Sequence, residues 1–195
     1  AVLPSPIVTR SASPGTAYVS NRLVAGSNDI SVEDSALVIQ NRPVPGSCTM
    51  LCGPFYHSAQ FAFSFFPMVG GSSVVMQHKY DSAEMLRLID QHACTNVHLV
   101  PTQMKRLLDL PAAVKDTFEG AALTTVWHGA APCPPAVKRG LIEWWGPKIT
   151  EYYGSTEGSI ISTVSSQEWL DKGGSVGKPV DNVEVMVLND AGTIG

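Results

Sequence analysis

The sequence predicts an α/β protein: a predominantly parallel sheet with helices on both faces, and the start of a small β sub-domain at the C-terminal end. Three observations carry that prediction. Apolar, β-branched runs such as Ser73–Gln77 and Val97–Val100 recur along the chain. Between them lie helical stretches of roughly 10–20 residues, the spacing of βαβ units whose strands run parallel. Near Gly173-Gly174 this alternation gives way to short β segments, so the expected boundary divides residues 1–172 from 173–195.

Each element follows from local chemistry. Residues 1 to about 30 are rich in Ser, Pro and Gly; a short helix is expected around Pro14–Gly26 and a turn at Ser31-Val32-Glu33-Asp34. Cys48–Cys52 reads as a strand stopped by Gly53-Pro54, and an apolar helix follows over Ser58–Val69, ended by Gly70-Gly71. Ser73–Gln77 reads as a buried strand. Asp81-Ser82-Ala83-Glu84 has the capping-box pattern, and the helix after it carries Met85, Leu88 and Ile89 on one face. Val97–Val100 is a strand, then Pro101-Thr102 leads into a helix with Met104, Leu107 and Leu108; a further helix is expected over Pro111–Phe118. Thr124–Trp127 is a strand, Pro134-Pro135 opens a helix running to Trp145, and Ile149–Tyr153 is again a strand. Val183–Leu188 alternates as a strand, and Asn189-Asp190-Ala191-Gly192 supplies turn chemistry for a hairpin with almost no returning strand. That ending, and the opening Pro4-Ser5-Pro6 without a Met, lead us to expect a fragment of a longer chain.

Composition removes several function classes. The 195 residues carry 13 Lys+Arg against 17 Asp+Glu, a formal charge of −4, with no basic cluster to neutralise phosphates, which argues against a nucleic-acid partner. A hydrophobic share of 44% supports a substantial core and excludes disorder. No window reaches the roughly 18 unbroken apolar residues of a transmembrane segment. Cys48, Cys52, Cys94 and Cys133 are too few and scattered for a disulfide framework, and read as reduced structural thiols rather than metal ligands. Ala1-Val2-Leu3-Pro4 lacks the basic and apolar parts of a signal peptide, so the expected compartment is the cytoplasm.

Three clusters fall directly after predicted strands, where ligands collect in open parallel sheets: Gly53-Pro54-Phe55-Tyr56-His57-Ser58, His128-Gly129-Ala130-Ala131-Pro132 and Gly154-Ser155-Thr156-Glu157-Gly158. The third carries the most chemistry. Its glycines permit a tight turn and close ligand approach. Ser155 and Thr156 suit phosphate oxygens, Glu157 offers the hard oxygen that Mg²⁺ takes, and Tyr153 provides an aromatic plate for a flat base. The plain alternative is a Gly-rich β-turn. A hydrolase alternative also exists: Gly154-x-Thr156-x-Gly158 has nucleophile-elbow spacing with Thr156 as nucleophile, but no His follows it through Gly195. His78, His92 and His98 read as lying on or beside surface elements, and the stripe Phe61, Phe63, Phe65, Phe66 serves equally as core or as tunnel wall.

Tyr153-Gly154-Ser155-Thr156-Glu157 resembles the signature of the adenylate-forming (AMP-binding) enzymes: acyl-CoA synthetases, aryl-CoA ligases, peptide-synthetase adenylation domains and luciferase. Gly53-Pro54-Phe55-Tyr56-His57 is similar to their Pro-x-x-His segment. His128-Gly129-Ala130-Ala131-Pro132 resembles their Gly-Ala-Pro loop, and Gly174-Ser175-Val176-Gly177-Lys178-Pro179 their Gly-x-x-Gly-x-Pro element. The motifs occur in the family's order from about Leu51 to the end. The segment Trp127–Pro134 is most similar to that of CoA ligases for fatty, aromatic or steroid-like acids.

The resemblance implies an acyl-CoA synthetase that joins a small-molecule carboxylic acid to ATP as acyl-AMP and then to CoA. It implies Thr156, Glu157 and His57 as catalytic residues, with Glu157 holding Mg²⁺. Gly129, Ala130, Ala131, Pro132, Tyr152, Tyr153, Gly154, Ser155 and Thr156 would bind ATP/AMP, while His57, His128 and Gly154 would face the acyl substrate. Residues 1–172 would then be part of a nucleotide- and acyl-binding sub-domain of the large N-terminal domain, and 173–195 the beginning of a β sub-domain. The family's phosphate loop ending in Lys, its ribose-binding Asp and its C-terminal domain with a catalytic Lys have no counterpart in the sequence. The expectation is therefore a fragment that needs the remaining segments of its parent chain for turnover. The alternative from another class is a non-catalytic nucleotide- or acyl-binding module of the same fold.

Overall fold

The computed structural model describes residues 17–21, 47–69, 71–157, 159–181 and 183–187. Its strands are β1 (Ala17–Asn21), β2 (Cys48–Leu51), β3 (Ser73–Met76), β4 (Asn96–Leu99), β5 (Thr125–His128), β6 (Ile149–Ser155), β7 (Ser159–Ser165), β8 (Lys178–Pro179) and β9 (Val183–Val187). Seven of them form one sheet in the order β3-β2-β4-β5-β6-β7-β8. The ladders from β3 to β6 are parallel, and those joining β6, β7 and β8 are antiparallel. The α/β, mainly parallel expectation holds.

The helices are α1 (Ser58–Val69), α2 (Ser82–Gln91), α3 (Pro101–Leu108), α4 (Ala112–Lys115), α5 (Pro135–Trp145) and α6 (Ser166–Asp171). On one face of the sheet, Met85, Leu86 and Ile89 of α2, Met104 and Leu107 of α3, and Leu141, Ile142 and Trp145 of α5 join Met50, Val97, Val126 and Ile149 in the main core. On the other, Phe63 of α1 packs with Trp127 and Ile160. Covered on both sides, β2, β4 and β5 have almost no exposed residue, which is why they read as near-continuous apolar runs. Among the described residues no helix is long and apolar enough to cross a membrane.

Local chemistry accounts for the helix starts. Asp81 accepts a hydrogen bond from Glu84 N at 2.8 Å, as its cap position predicts, but Glu84 does not complete the box. Its carboxylate instead accepts from Arg87 on the next turn at 2.6 and 2.7 Å, which holds it below the usual carboxylate range. Pro101 and Pro135 each open a helix at a position that needs no amide hydrogen. Past α1, Gly71 N–H bonds to Met68 O and Ser72 N–H to Pro67 O, the paired bonds that close a helix end.

Four expectations are corrected. Residues 17–21 of the expected Pro14–Gly26 helix are extended, because β1 pairs antiparallel with β9 from Ala17↔Val187 to Asn21↔Val183 and cross-strand bonds replace helical ones. The rest of that segment, the Ser31–Asp34 turn and the hairpin after Val187 lie outside the described residues. Ser73–Met76 is not buried: within this sheet β3 has a neighbour on one side only, and Met76 is 64% exposed. The helix over Pro111–Phe118 shortens to Ala112–Lys115. His98 is not at the surface but 2% exposed in β4. Two elements went unforeseen: β7, and α6 with its reciprocal Ser165–Glu168 capping box. Past Gly174 the chain supplies β8 to the main sheet and β9 to the pair with β1.

Candidate functional site

Strands β2, β5 and β6 run parallel, so their carboxyl ends open on the same edge of the sheet and their following loops converge there. After β2, the turn ends at His57, whose carbonyl accepts from Phe61 N at 2.9 Å and so begins α1. The His57 ring turns back on this helix start: Nδ1 accepts from Ala59 N at 3.3 Å, which leaves Nε2 as the ring nitrogen available to a ligand. One residue on, Ser58 Oγ lies 3.1 Å from Thr156 Oγ1. That hydroxyl pair joins the first sequence cluster to the third. Around it, Phe55, Tyr56, His57, Ser58, Phe61 and Thr156 line an open cavity of about 640 Å³.

The third cluster is the tip of the β6–β7 hairpin. Its register shifts between Tyr153 and Gly154, and a Cβ at Gly154 would lie 2.1 Å from Ser159 O, so no side chain fits there. Ser155 pairs with Ser159 across the hairpin, and Thr156 and Glu157 are exposed at its end. Among the described residues the Glu157 carboxylate is in no hydrogen bond or ion pair. Gly158 lies outside the described residues. Tyr153, 53% exposed, offers its ring to solvent.

Tyr152 points the other way and ties in the second cluster. A Cβ on Gly129 would come within 2.5 Å of the Tyr152 ring, so only glycine permits this approach. Ala130 follows in the left-handed region at φ 70°, a conformation that costs an L side chain energy. Ala130→Gly is expected to raise stability by roughly 0.5–1 kcal/mol; a lowered thermal midpoint would contradict that strain. Ala131 and Pro132 are exposed beyond it.

Sequence reasoning missed two buried polar groups. In the first, Gln60 Nε2 lies 2.9 Å from His98 Nδ1, and His98 Nε2 lies 3.0 Å from Tyr152 Oη. An amide nitrogen can only donate, so Nδ1 accepts and the ring proton sits on Nε2, donated to Tyr152. Phe63 stacks on the His98 ring with centroids 4.7 Å apart. Burial, with a smaller contribution from His57, pushes His98 down to about 3, and burial pushes Tyr152 up to about 12. The available signal was position: a mid-strand residue of a doubly covered sheet has no solvent face.

The second group lies under β5 and β6. Lys138 of α5, fully buried, donates to Glu151 Oε2 at 2.6 Å, and its ammonium sits 4.8 Å from the Trp169 ring centroid. His128, also fully buried, is the last residue of β5 rather than the first of the loop; the structure does not bring it to the cavity. Its Nε2 lies 3.6 Å from Glu151 Oε2. That contact is not an ion pair: burial first, then the Lys138 charge and His98, push His128 down to about 3 and keep the ring neutral. Burial likewise lowers Lys138, against the pull of Glu151.

Comparison with known proteins gives the family and the fold. The AMP-binding enzyme family matches residues 26–194. A medium/long-chain-fatty-acid–CoA ligase of Mycobacterium tuberculosis is 30% identical over 145 residues, which are 73% of this chain and 25% of the relative. Luciferin 4-monooxygenase of Luciola mingrelica is 31% identical over 80% of this chain and 28% of its own. The chain thus spans about a quarter of the length of these relatives. In fold it is similar to the amide bond synthetase McbA of Marinactinospora thermotolerans (TM-score 0.72, 20% identity, 96% of this chain and 37% of that one). It is also similar to o-succinylbenzoate CoA synthetase of Bacillus subtilis in complex with ATP and magnesium ion (TM-score 0.67, 23% identity, 81% and 32%). With the motif loops gathered on one sheet edge and the family match covering most of its length, the chain belongs to the AMP-binding, adenylate-forming enzymes.

Proposed function

We propose that the protein carrying this chain is an acid–thiol ligase, activating a small-molecule carboxylic acid with ATP as acyl-AMP and passing the acyl group to CoA. The observation that carries the reading is the Ser58–Thr156 hydroxyl pair beside His57 on the cavity, which unites two motif loops that lie 98 residues apart. Residues 1–172 would supply much of the nucleotide and acyl sites, with other segments of the protein completing them.

In the first step a substrate carboxylate oxygen bonds to the α-phosphorus of ATP and the bond to pyrophosphate breaks; in the second a thiolate takes the acyl carbon and AMP leaves. Positioning and charge neutralisation dominate such chemistry. Thr156 and Ser58 offer hydroxyls to phosphate oxygens. His57, with Nδ1 engaged, has Nε2 to orient the acyl carboxylate. Tyr153 offers an exposed face to adenine, and Gly129, Ala130, Ala131 and Pro132 form the opposing wall with small side chains. Gly154 and Ser155 let the hairpin backbone approach both substrates, and Tyr152 fixes that wall from behind. His128, fully buried beside Lys138 and Glu151, bears on the site only through the packing beneath β5 and β6.

The donor set fits magnesium in one particular way. Among the described residues no group of three or more His, Cys, Asp and Glu is close enough to hold a metal. One exposed carboxylate, Glu157, suits a Mg²⁺ that keeps most of its coordination for phosphate oxygens and water. The ion would supply charge neutralisation on the phosphates. The hydrolase alternative gains nothing from this geometry, since the Thr156 hydroxyl bonds to Ser58 rather than to a histidine base.

Thr156→Ala and Glu157→Gln in the whole protein should each lower kcat/KM for pyrophosphate release by about 10²–10³-fold, as for other preorganised electrostatic groups. Pyrophosphate release with ATP, Mg²⁺ and a panel of carboxylic acids measures this. Undiminished activity in both variants sinks the site assignment; no release from the folded parent with any acid favours the non-catalytic module.

A further inference from the structure

The strand order β3-β2-β4-β5-β6 places successive connections on opposite sides of β2: the chain leaves β2 for β3 on one flank and returns to β4 on the other. The sheet therefore has a topological switch point between β2 and β4, where the loops diverge and leave a crevice at the carboxyl ends of the strands. The cavity described above is lined by the loop and helix start after β2 together with Thr156 beyond β6. A second cavity of about 530 Å³, which shares only Phe55 with it, is lined by the ends of β2 and β3 and the segments that follow β2, β3 and β4.

Its walls have two chemistries. Leu51, Phe55 and Met76 make an apolar strip, with Phe55 46% and Met76 64% exposed to it and to solvent. Lys79 and Arg106 stand exposed on the same cavity, beside the exposed Thr102 at the start of α3. Among the described residues neither cation enters a salt bridge or a hydrogen bond. The nearby carboxylate of Asp81 is engaged in capping α2, accepting from Glu84 N at 2.8 Å. The floor is preorganised: Gln103 Nε2 donates to Cys52 O at 2.7 Å, and Gln103 Oε1 accepts from Val100 N at 3.0 Å, locking the ends of β2 and β4 together. Two unpaired cations above an apolar strip, over a rigid floor, match a ligand that carries a phosphate group on an uncharged stem.

We propose that this switch-point cleft is an anion site distinct from the Thr156 cavity, in which Lys79 and Arg106 take the phosphate of an extended phosphoester while its stem lies along Leu51, Phe55 and Met76. The assignment rests on this cleft alone and does not depend on the adenylation reading.

Titrating the isotope-labelled 195-residue chain with inorganic phosphate and with hexyl phosphate, followed by amide chemical shifts, tests it. Shifts are expected at His78, Lys79, Thr102 and Gln103, and hexyl phosphate should bind at least about fivefold more tightly than inorganic phosphate through its buried stem. Lys79→Gln with Arg106→Gln, both at exposed positions where folding should survive, is expected to weaken hexyl phosphate about tenfold or more. Binding should also weaken as salt is raised. Shifts confined to residues 153–157, no shifts with either probe, equal affinity for the two, or unchanged affinity in the double variant would each overturn the proposal.

Discussion

Replacing Lys138 with methionine is expected to lower folding stability by about 3–5 kcal/mol, the usual consequence of removing one partner from a buried ion pair. The reason lies in what remains. Glu151 is only 9% exposed, and Lys138 is the group that neutralises it, at 2.6 Å. Methionine preserves the stem volume against Trp169 but leaves the carboxylate buried without its cation. Removing both charges should be far milder, because the desolvation of two ions disappears with their attraction. Lys138→Met with Glu151→Leu is therefore expected to recover most of the loss, and a double-mutant cycle in urea, read by tryptophan fluorescence, measures the coupling. A single-variant loss below about 1 kcal/mol would place the pair in the class of solvated surface bridges and remove the argument. The pair also matters for the site, since Glu151 is on β6 two residues before Tyr153 and helps set where that strand, and the hairpin tip beyond it, comes to rest.

Most of the fold was legible because its elements announce themselves locally. Ser58–Val69 and Pro135–Trp145 are bounded by glycine and proline in the positions helix ends demand, and both were read to the residue or within one. What stayed illegible depends on partners distant in sequence. Nothing local tells Ala17–Asn21 that it will pair with Val183–Val187, or Ser73–Met76 that it will stand at a sheet edge. The turn from β6 into β7 reads as a Gly-rich loop, and only the cross-strand register makes it a hairpin.

The candidate site was legible at its exposed tips and opaque beneath them. His57, Thr156, Glu157 and Tyr153 stand out because motif chemistry at a strand end has few structural uses. Ser58 belongs to the same strand-end cluster as His57, but its bond to Thr156 is a tertiary fact. His98 and Lys138 were harder, since histidine and lysine are usually surface residues and their burial is bought by single specific partners, Tyr152 with Gln60 in one case and Glu151 in the other. Those partners are separated from them by 13 to 54 residues, beyond any local pattern.

Acidification from pH 7.5 to pH 5 is expected to remove about 4 kcal/mol of stability, roughly 2 from each of His98 and His128. Both rings sit near 3 in the folded chain, against an ordinary value of 6.5. Between those values the unfolded chain binds protons that the folded one refuses, so stability is fully present above about pH 6.5 and falls continuously as pH drops toward 3. Carboxylates do not confuse this window: Glu84 and Glu168 are held below their usual value of 4.5, so their contribution is lost only at lower pH. Urea unfolding at several pH values gives the slope, and His98→Gln or His128→Asn should each remove about half of it whatever the variant does to absolute stability. A flat profile, or ring proton shifts of either histidine moving between pH 7.5 and 5 in the folded chain, would refute the claim. The two rings differ in what protonation would break. At His98 a proton on Nδ1 meets the Gln60 amide donor head on and breaks the Gln60–His98 bond, the anchor of the ring that donates from Nε2 to Tyr152 against Gly129. At His128 it adds a second positive charge beside Lys138. Loss of ligand binding in acid should therefore track unfolding in the His128→Asn variant as in the parent, whereas His98→Gln, with no ring to titrate, should keep its residual binding to lower pH.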